Sequence, residues 1–349
     1  MKRIFTSVLA VGILAAASAA AVAHAASQPT ARLTGNIKID GSSTVYPITE
    51  AVAEEFKKVA PNVNVTVGIS GTGGGFKKFS IGETDISDAS RPIKKEEADK
   101  CAQKGIEYIE LPVAFDGLSF VVNTKNTWVD HLTVDELKTI FILQKTGEKD
   151  GKPTYPAKPG VMTWKDVRPT WPDKPIKFFA PGTDSGTFDY FKEVLAGKDG
   201  AVRPDMSVSE DDNVLVKGVE GDDAAIGFFG FAYFVENKDK LKVVPIDAGK
   251  GAGAITPTHE TINDGSYAPF SRPLFIYVNK KSAARKEVAA FVNFYLDQTA
   301  KLSEEVGYVA IPSEVISRAK ANFTALRTGS QFMDAAGKSI HGSLEKTYK

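Results

Sequence analysis

The hydrophobic pattern changes period along the chain, and each change marks an element. Ile37-Lys38-Ile39-Asp40 reads as a short strand that runs into Gly41-Ser42-Ser43-Thr44-Val45-Tyr46-Pro47. Between Ile48 and Val59 the apolar positions fall at 48, 52, 56 and 59, the stripe of an amphipathic helix. Pro47 suits its first turn, where the missing N–H would have no partner anyway, and Pro61 ends it. Val63 to Val67 alternates as a strand, and Gly68 to Gly75 is a glycine-rich loop. Phe76 to Ile81 predicts a short helix, and Asp85 to Asp88 the start of the next strand. Strand, loop and helix in alternation predict an α/β domain with a largely parallel sheet.

Two later runs, Leu118 to Asn123 and Leu274 to Asn279, are alike: both are apolar and end in Asn. They read as two crossings between domains. The predicted division is residues 26–117 plus 275–349 for the first domain and 118–274 for a second, inserted one. Lys145 to Pro159, rich in Lys, Gly and Pro, reads as a surface loop. The stripes after Lys280 (Val288, Phe291, Phe294, Leu302) return the chain to the first domain.

A length of 349 residues agrees with about two domains. Hydrophobic residues at 42% and charged residues at 25% exclude a disordered or fibrous chain. The 43 basic and 43 acidic side chains cancel, which argues against a nucleic-acid partner. At the N-terminus, Lys2 and Arg3 precede an apolar, Ala-rich run from Ile4 to Val22 and then Ala23-His24-Ala25. The run is long enough for a membrane anchor. Its alanine content and the small-x-small end favour a cleaved signal peptide over residues 1–25. A soluble, exported, monomeric product is expected. Cys101 is the single cysteine, so an internal disulfide, a C-x-x-C redox motif and a zinc ribbon are all excluded.

Three segments place hydroxyls and glycines before a helix: Gly41-Ser42-Ser43-Thr44, Ser70 to Gly75, and Gly182-Thr183-Asp184-Ser185-Gly186-Thr187. Free N–H groups and the positive end of the helix dipole meet there and favour an anion. Ser and Thr are also ordinary helix caps, so any one loop alone is more often a structural feature than an anion site. Asp88-Ala89-Ser90-Arg91-Pro92-Ile93 adds a guanidinium that could grip an oxyanion, or pair with a nearby acid on the surface.

Catalytic signatures are missing. Gly337-Lys338-Ser339 lacks the upstream glycine of a phosphate-binding NTPase loop, since Phe332 stands there. The glycines of 71–75 are too crowded for a dinucleotide fingerprint. Ser185 has no G-x-S-x-G elbow. After processing, His131, His259 and His341 lie in unrelated settings, leaving few bases for a serine triad and no zinc spacing. The acidic groups 210–212 and 222–223 do not match a calcium loop. No cofactor and no metal are expected.

The order of Gly-Ser-Ser-Thr-Val-Tyr-Pro, Ser-Gly-Thr-Gly-Gly-Gly-Phe, Asp-Ala-Ser-Arg-Pro-Ile and Gly-Thr-Asp-Ser-Gly-Thr-Phe-Asp-Tyr-Phe resembles the phosphate-binding proteins of bacterial phosphate ABC importers, the PstS type. The resemblance runs from about Gly35 to the C-terminal helices. It implies a type II periplasmic-binding-protein fold, with two α/β lobes closing on one inorganic phosphate around a two-crossing hinge, a periplasmic location, and the membrane permease subunits of an ABC importer as partner. It implies no catalysis. By the same resemblance Ser43 and Thr44 fall in the first phosphate loop, Thr72 and Gly73 in the second, Ser90 and Arg91 in the third, and Ser185, Gly186 and Thr187 in the fourth. Two positions depart from one version of the pattern: Pro181 stands where an Arg is usual, and Ser90 where an acidic ligand ends the third loop. Arg91 would then supply the guanidinium as the principal cationic ligand. Asp116 is the candidate acceptor for the phosphate proton, although Asp-Gly is also a common turn pair. An acceptor would favour phosphate over sulfate, which has no proton to donate. The rival readings are a receptor for sulfate or molybdate, a secreted phosphatase or serine hydrolase using Ser185, and an adhesin that keeps only the fold.

Overall fold

The computed structural model describes residues 30–349, apart from 157–158, 184, 198–199, 210, 335, 339 and 341–342. The predicted signal segment, Asp184, Glu210 and His341 lie outside the described residues.

The first half follows the predicted alternation: β1 (Gly35–Gly41), α1 (Tyr46–Val59), β2 (Val63–Ile69), α2 (Gly71–Phe79), β3 (Ile86–Ala89), α3 (Lys95–Gln103) and β4 (Tyr108–Asn123). The stripe of α1 is buried at Ile48, Val52 and Phe56. Phe56 packs edge-on against Phe291 at 5.3 Å, with Phe294 at 5.4 Å. Both belong to α6 (Lys286–Glu305), which returns from the far end of the chain. Removing a buried aromatic of this kind costs about 3–5 kcal/mol.

Helix α2 departs from the expectation. It begins at Gly71, so most of the predicted glycine-rich loop is helical. The reason is steric. Gly75 lies so close to β1 that a Cβ there would stand 2.6 Å from the Gly41 Cα and 2.8 Å from the Asp40 carbonyl oxygen. Gly75 lets this helix lie directly on the strand.

The remaining elements around the site are β5 (Lys177–Pro181), α4 (Gly186–Leu195), β6 (Ser207–Ser209), α5 (Asp212–Glu220), β7 (Ala225–Gly230), β8 (Leu241–Val243), β9 (Ser271–Asn279) and, after α6, β10 (Val309–Ala310). Ten strands form one sheet in the order β6-β5-β7-β4-β9-β3-β1-β2, with β8 and β10 also pairing with β4. The sheet is mixed rather than largely parallel. Its two ends, β3-β1-β2 and β6-β5-β7, are parallel. The central β4 and β9 run antiparallel to each other and to their outer neighbours.

Strand β4 is buried along all 16 residues. The run at 118–123 is therefore only the second half of a strand that starts at Tyr108. Up to Gly117 it pairs with β9, and from Leu118 it pairs with β7. Strand β9 pairs with the first half of β4 from Ser271 onward. Residues 145–159 carry an exposed hairpin, Gly147–Lys149 with Lys152–Thr154, turned by Asp150 and Gly151 at φ 54° and 72°.

Candidate functional site

The four hydroxyl-bearing loops follow the carboxyl ends of β1, β2, β3 and β5. In open α/β sheets that edge is where ligands bind. A polar cleft of about 390 Å³ opens there, and its wall includes Ser42, Ser43, Thr44, Gly71, Thr72, Gly73, Ser90 and Arg91. Six residues predicted from the first three loops therefore share one cavity. Facing them from α4 are Asp189, Lys192 and Glu193, and from β9 Arg272. Ser185, Gly186 and Thr187 line an adjoining cavity of about 310 Å³, which shares Ser43 with the first.

The fourth loop touches the first. A Cβ at Gly186 would stand 2.7 Å from the Thr44 Cα, so only glycine lets the start of α4 lie this close. The Ser43 hydroxyl donates to Asp189 Oδ2 at 3.0 Å. The second and third loops are joined as well: Thr72 Oγ1 and Ser90 Oγ lie 3.0 Å apart, and the Ser90 N–H donates to Thr72 Oγ1 at 3.1 Å. Ser185 caps α4, accepting from the Thr187 N–H at 3.2 Å. Helices α1 and α2 have no side-chain cap; in α1 the Tyr46 N–H donates to the Ser42 carbonyl and the Ile48 and Thr49 N–H groups to the Val45 carbonyl, so it is the first turn of α2 that leaves N–H groups to other acceptors.

The charges are arranged differently from the expectation. Arg91 lines the cleft, but its guanidinium is engaged bidentately by Glu97, at 2.9 and 2.8 Å, and lies over the Phe76 ring. Asp116 does not line the cleft. It is almost fully buried on β4, directly opposite Arg272 in the β9 register. Its Oδ2 accepts from Arg272 Nε and Nη2, both at 3.3 Å. Burial pushes the Asp116 carboxyl up to about 6, against the pull of Arg272. Arg272 also donates to Thr44 Oγ1 at 3.2 Å and to Glu193 Oε2 at 2.8 Å, and lies 3.7 Å from the centre of the Tyr190 ring.

Sequence reasoning missed Arg272, and with it Asp189, Lys192 and Glu193. A signal for Arg272 existed. Asp116 and Arg272 are opposite charges at the two predicted crossings, each beside an apolar strand run. Among the described residues no group of His, Cys, Asp and Glu could hold a metal ion, and no helix is long and apolar enough to cross a membrane.

Comparison with known proteins agrees with this architecture. The model of the PBP superfamily domain matches residues 23–299. Protein SphX of Synechococcus elongatus is 49% identical over 314 residues, 90% of this chain and 88% of that protein. The phosphate-binding protein PstS of Staphylococcus saprophyticus is 44% identical over 283 residues, 80% of this chain and 82% of that protein. The chain belongs to the PstS/SphX family. A crystal structure described as "a possible phosphate binding protein" from Planctomyces limnophilus is 46% identical, with a TM-score of 0.77 over 84% of this chain and 99% of that one. The PstS/SphX chain in hand thus has the mixed α/β periplasmic-binding-protein fold.

Proposed function

We infer that this protein binds one inorganic phosphate and delivers it to an ABC importer, without turning it over. The observation that carries the reading is the meeting of four hydroxyl- and glycine-bearing loops at one sheet edge in a member of the PstS/SphX family. Backbone N–H groups at helix starts, with Thr44, Thr72, Ser90, Ser185 and Thr187 as hydroxyl donors, and Ser43 once its hydroxyl turns from Asp189, suit a compact tetrahedral anion. Gly73 and Gly186 leave the backbone accessible. Arg272, held by Asp116, supplies the guanidinium on this reading, and Arg91 a second one beside it. Asp116 then acts by fixing Arg272, not as the direct acceptor of the phosphate proton.

The same reading divides the chain into two lobes that close on the anion. The first crossing falls at Gly117–Leu118, where β4 changes partner from β9 to β7. The second falls at Phe270–Ser271, four residues before the boundary expected from the sequence, because Ser271 to Leu274 already pair with the first half of β4. Closure is favoured because only the closed form makes both sets of contacts. The N-terminal segment is proposed as a cleaved signal peptide and the periplasm as the location, with the permease subunits as partner and the monomer as the working form. Titration calorimetry with phosphate, sulfate and molybdate tests the reading. One phosphate per chain with weak sulfate competition is expected, and equal response to all three anions would refute it.

A further inference from the structure

Arg272 has four neighbours that take up its guanidinium, and they differ in how easily they can leave. Asp116 is on the adjacent strand, in register, with its side chain 2% exposed. The Tyr190 ring lies against the guanidinium, and the Tyr190 hydroxyl donates to the Pro269 carbonyl at 2.7 Å. Thr44 belongs to the first loop and is buried. Glu193 alone can swing away into solvent. Its side chain is 62% exposed, at the end of three rotatable bonds, on the face of α4 that meets the cleft. Its Oε2 accepts from Nη1, the nitrogen that Asp116 and Thr44 leave to the solvent side.

We propose that Glu193 is a built-in competitor for the anion: its carboxylate holds the solvent-side nitrogen of Arg272, and phosphate must take that nitrogen from it. The inference rests on the reading of the cleft as the phosphate site. The exchange is cheap, because the carboxylate half of the pair is exposed, and an ion pair open to water contributes little and is screened by salt. It still sets a ceiling on affinity, since each binding event breaks one charge-assisted contact and brings two anions to the same guanidinium. A receptor that must release its cargo gains from such a contact, because Glu193 can retake Nη1 as the anion departs. Any tetrahedral oxyanion meets the same competitor, so Glu193 governs affinity and not the choice among anions.

The test is calorimetric titration of the full mature protein and of Glu193→Gln with phosphate and, separately, sulfate, at low and at 0.5 M salt. Glutamine keeps the length and one acceptor while removing the charge. The expected result at low salt is about 2- to 6-fold tighter binding of each anion by the variant. The phosphate-to-sulfate ratio stays the same, and the gain shrinks at 0.5 M salt. A merely structural role for Glu193 predicts weaker binding or none of this salt dependence, and either overturns the proposal. A changed phosphate-to-sulfate ratio also overturns it, because Glu193 would then read the phosphate proton directly. If wild type prefers sulfate, the phosphate reading falls, while the gain in Glu193→Gln still decides the competitor role. If neither protein binds either anion, both fall together.

Discussion

Replacing Arg272 with alanine separates its two jobs, and their sizes can be worked out in advance. As a ligand, Arg272 offers at least one charge-assisted hydrogen bond, worth about 1.5–3 kcal/mol, so its loss weakens phosphate binding by at least roughly tenfold to 150-fold. As a structural group, it is the ion partner of a buried carboxylate at 3.3 Å. Breaking a buried pair by removing one member costs about 3–5 kcal/mol when the remaining charge must stay. Here the remaining charge can be neutralised instead. Burial already holds the Asp116 carboxyl at about 6 with Arg272 present. Arg272 pulls it down, so the alanine variant raises it further and Asp116 takes up a proton near neutral pH. The sign follows from linkage: a carboxyl raised above its unfolded value loses stability as pH rises from its unfolded to its folded value, and no further above that. Below about pH 6 both proteins carry a neutral Asp116 and differ little. Above it the variant falls progressively behind. Calorimetric titration and thermal unfolding between pH 5 and 9 read the two effects separately. Adding Asp116→Asn to the alanine variant should restore stability at high pH without restoring affinity. Affinity within twofold of wild type in folded Arg272→Ala would remove this residue from the site. A stability loss that does not depend on pH would refute the account of Asp116.

Three other outcomes follow from the same geometry. Gly186→Ala places a Cβ 2.7 Å from the Thr44 Cα, where backbone must give way; overpacking of about 1–3 kcal/mol pushes α4 off the first loop, and phosphate titration should show at least a tenfold loss, with unchanged affinity contradicting the contact. Asp88 is wholly buried on β3, and burial pushes its carboxyl up to about 7; wild type therefore loses stability as pH rises from about 4 towards 7, by about 1.4 kcal/mol per pH unit for this one proton, with no further loss above 7, and Asp88→Asn should flatten that part of the curve, while Glu110, also held at about 7, keeps a residual slope. Small-angle scattering should give a smaller radius of gyration with saturating phosphate than without it, and an unchanged radius would favour a rigid two-domain body with a preformed cleft.

Much of the first half was legible because its signals are local. The stripe at Ile48, Val52 and Phe56 has one period and one buried face, and Pro47 marks where the helix begins. The loops were legible for the same reason, since hydroxyls and glycines before a helix act through backbone close in sequence. The extent of α2 was not, because Gly75 is there for contact with Gly41, which is distant in the chain. The central antiparallel pair was hidden as well. Strand β4 is buried on both faces throughout, so it has no alternation to read, and its change of partner at Leu118 depends on strands far along the sequence. Charge pairing was least legible. Arg91 was visible beside a loop motif, but Glu97 engages it, while Arg272 reaches the cleft only because β9 lies beside β4.

The most direct measurement is a crystal structure of the mature protein grown with phosphate. The account predicts one anion at the sheet edge, with donors 2.7–3.2 Å away from both sides: Thr44, Thr72 and Ser90 on one, the Ser185–Thr187 turn on the other, and Arg272 between them. Phosphate bound by one side alone, or bound away from Arg272, would contradict it.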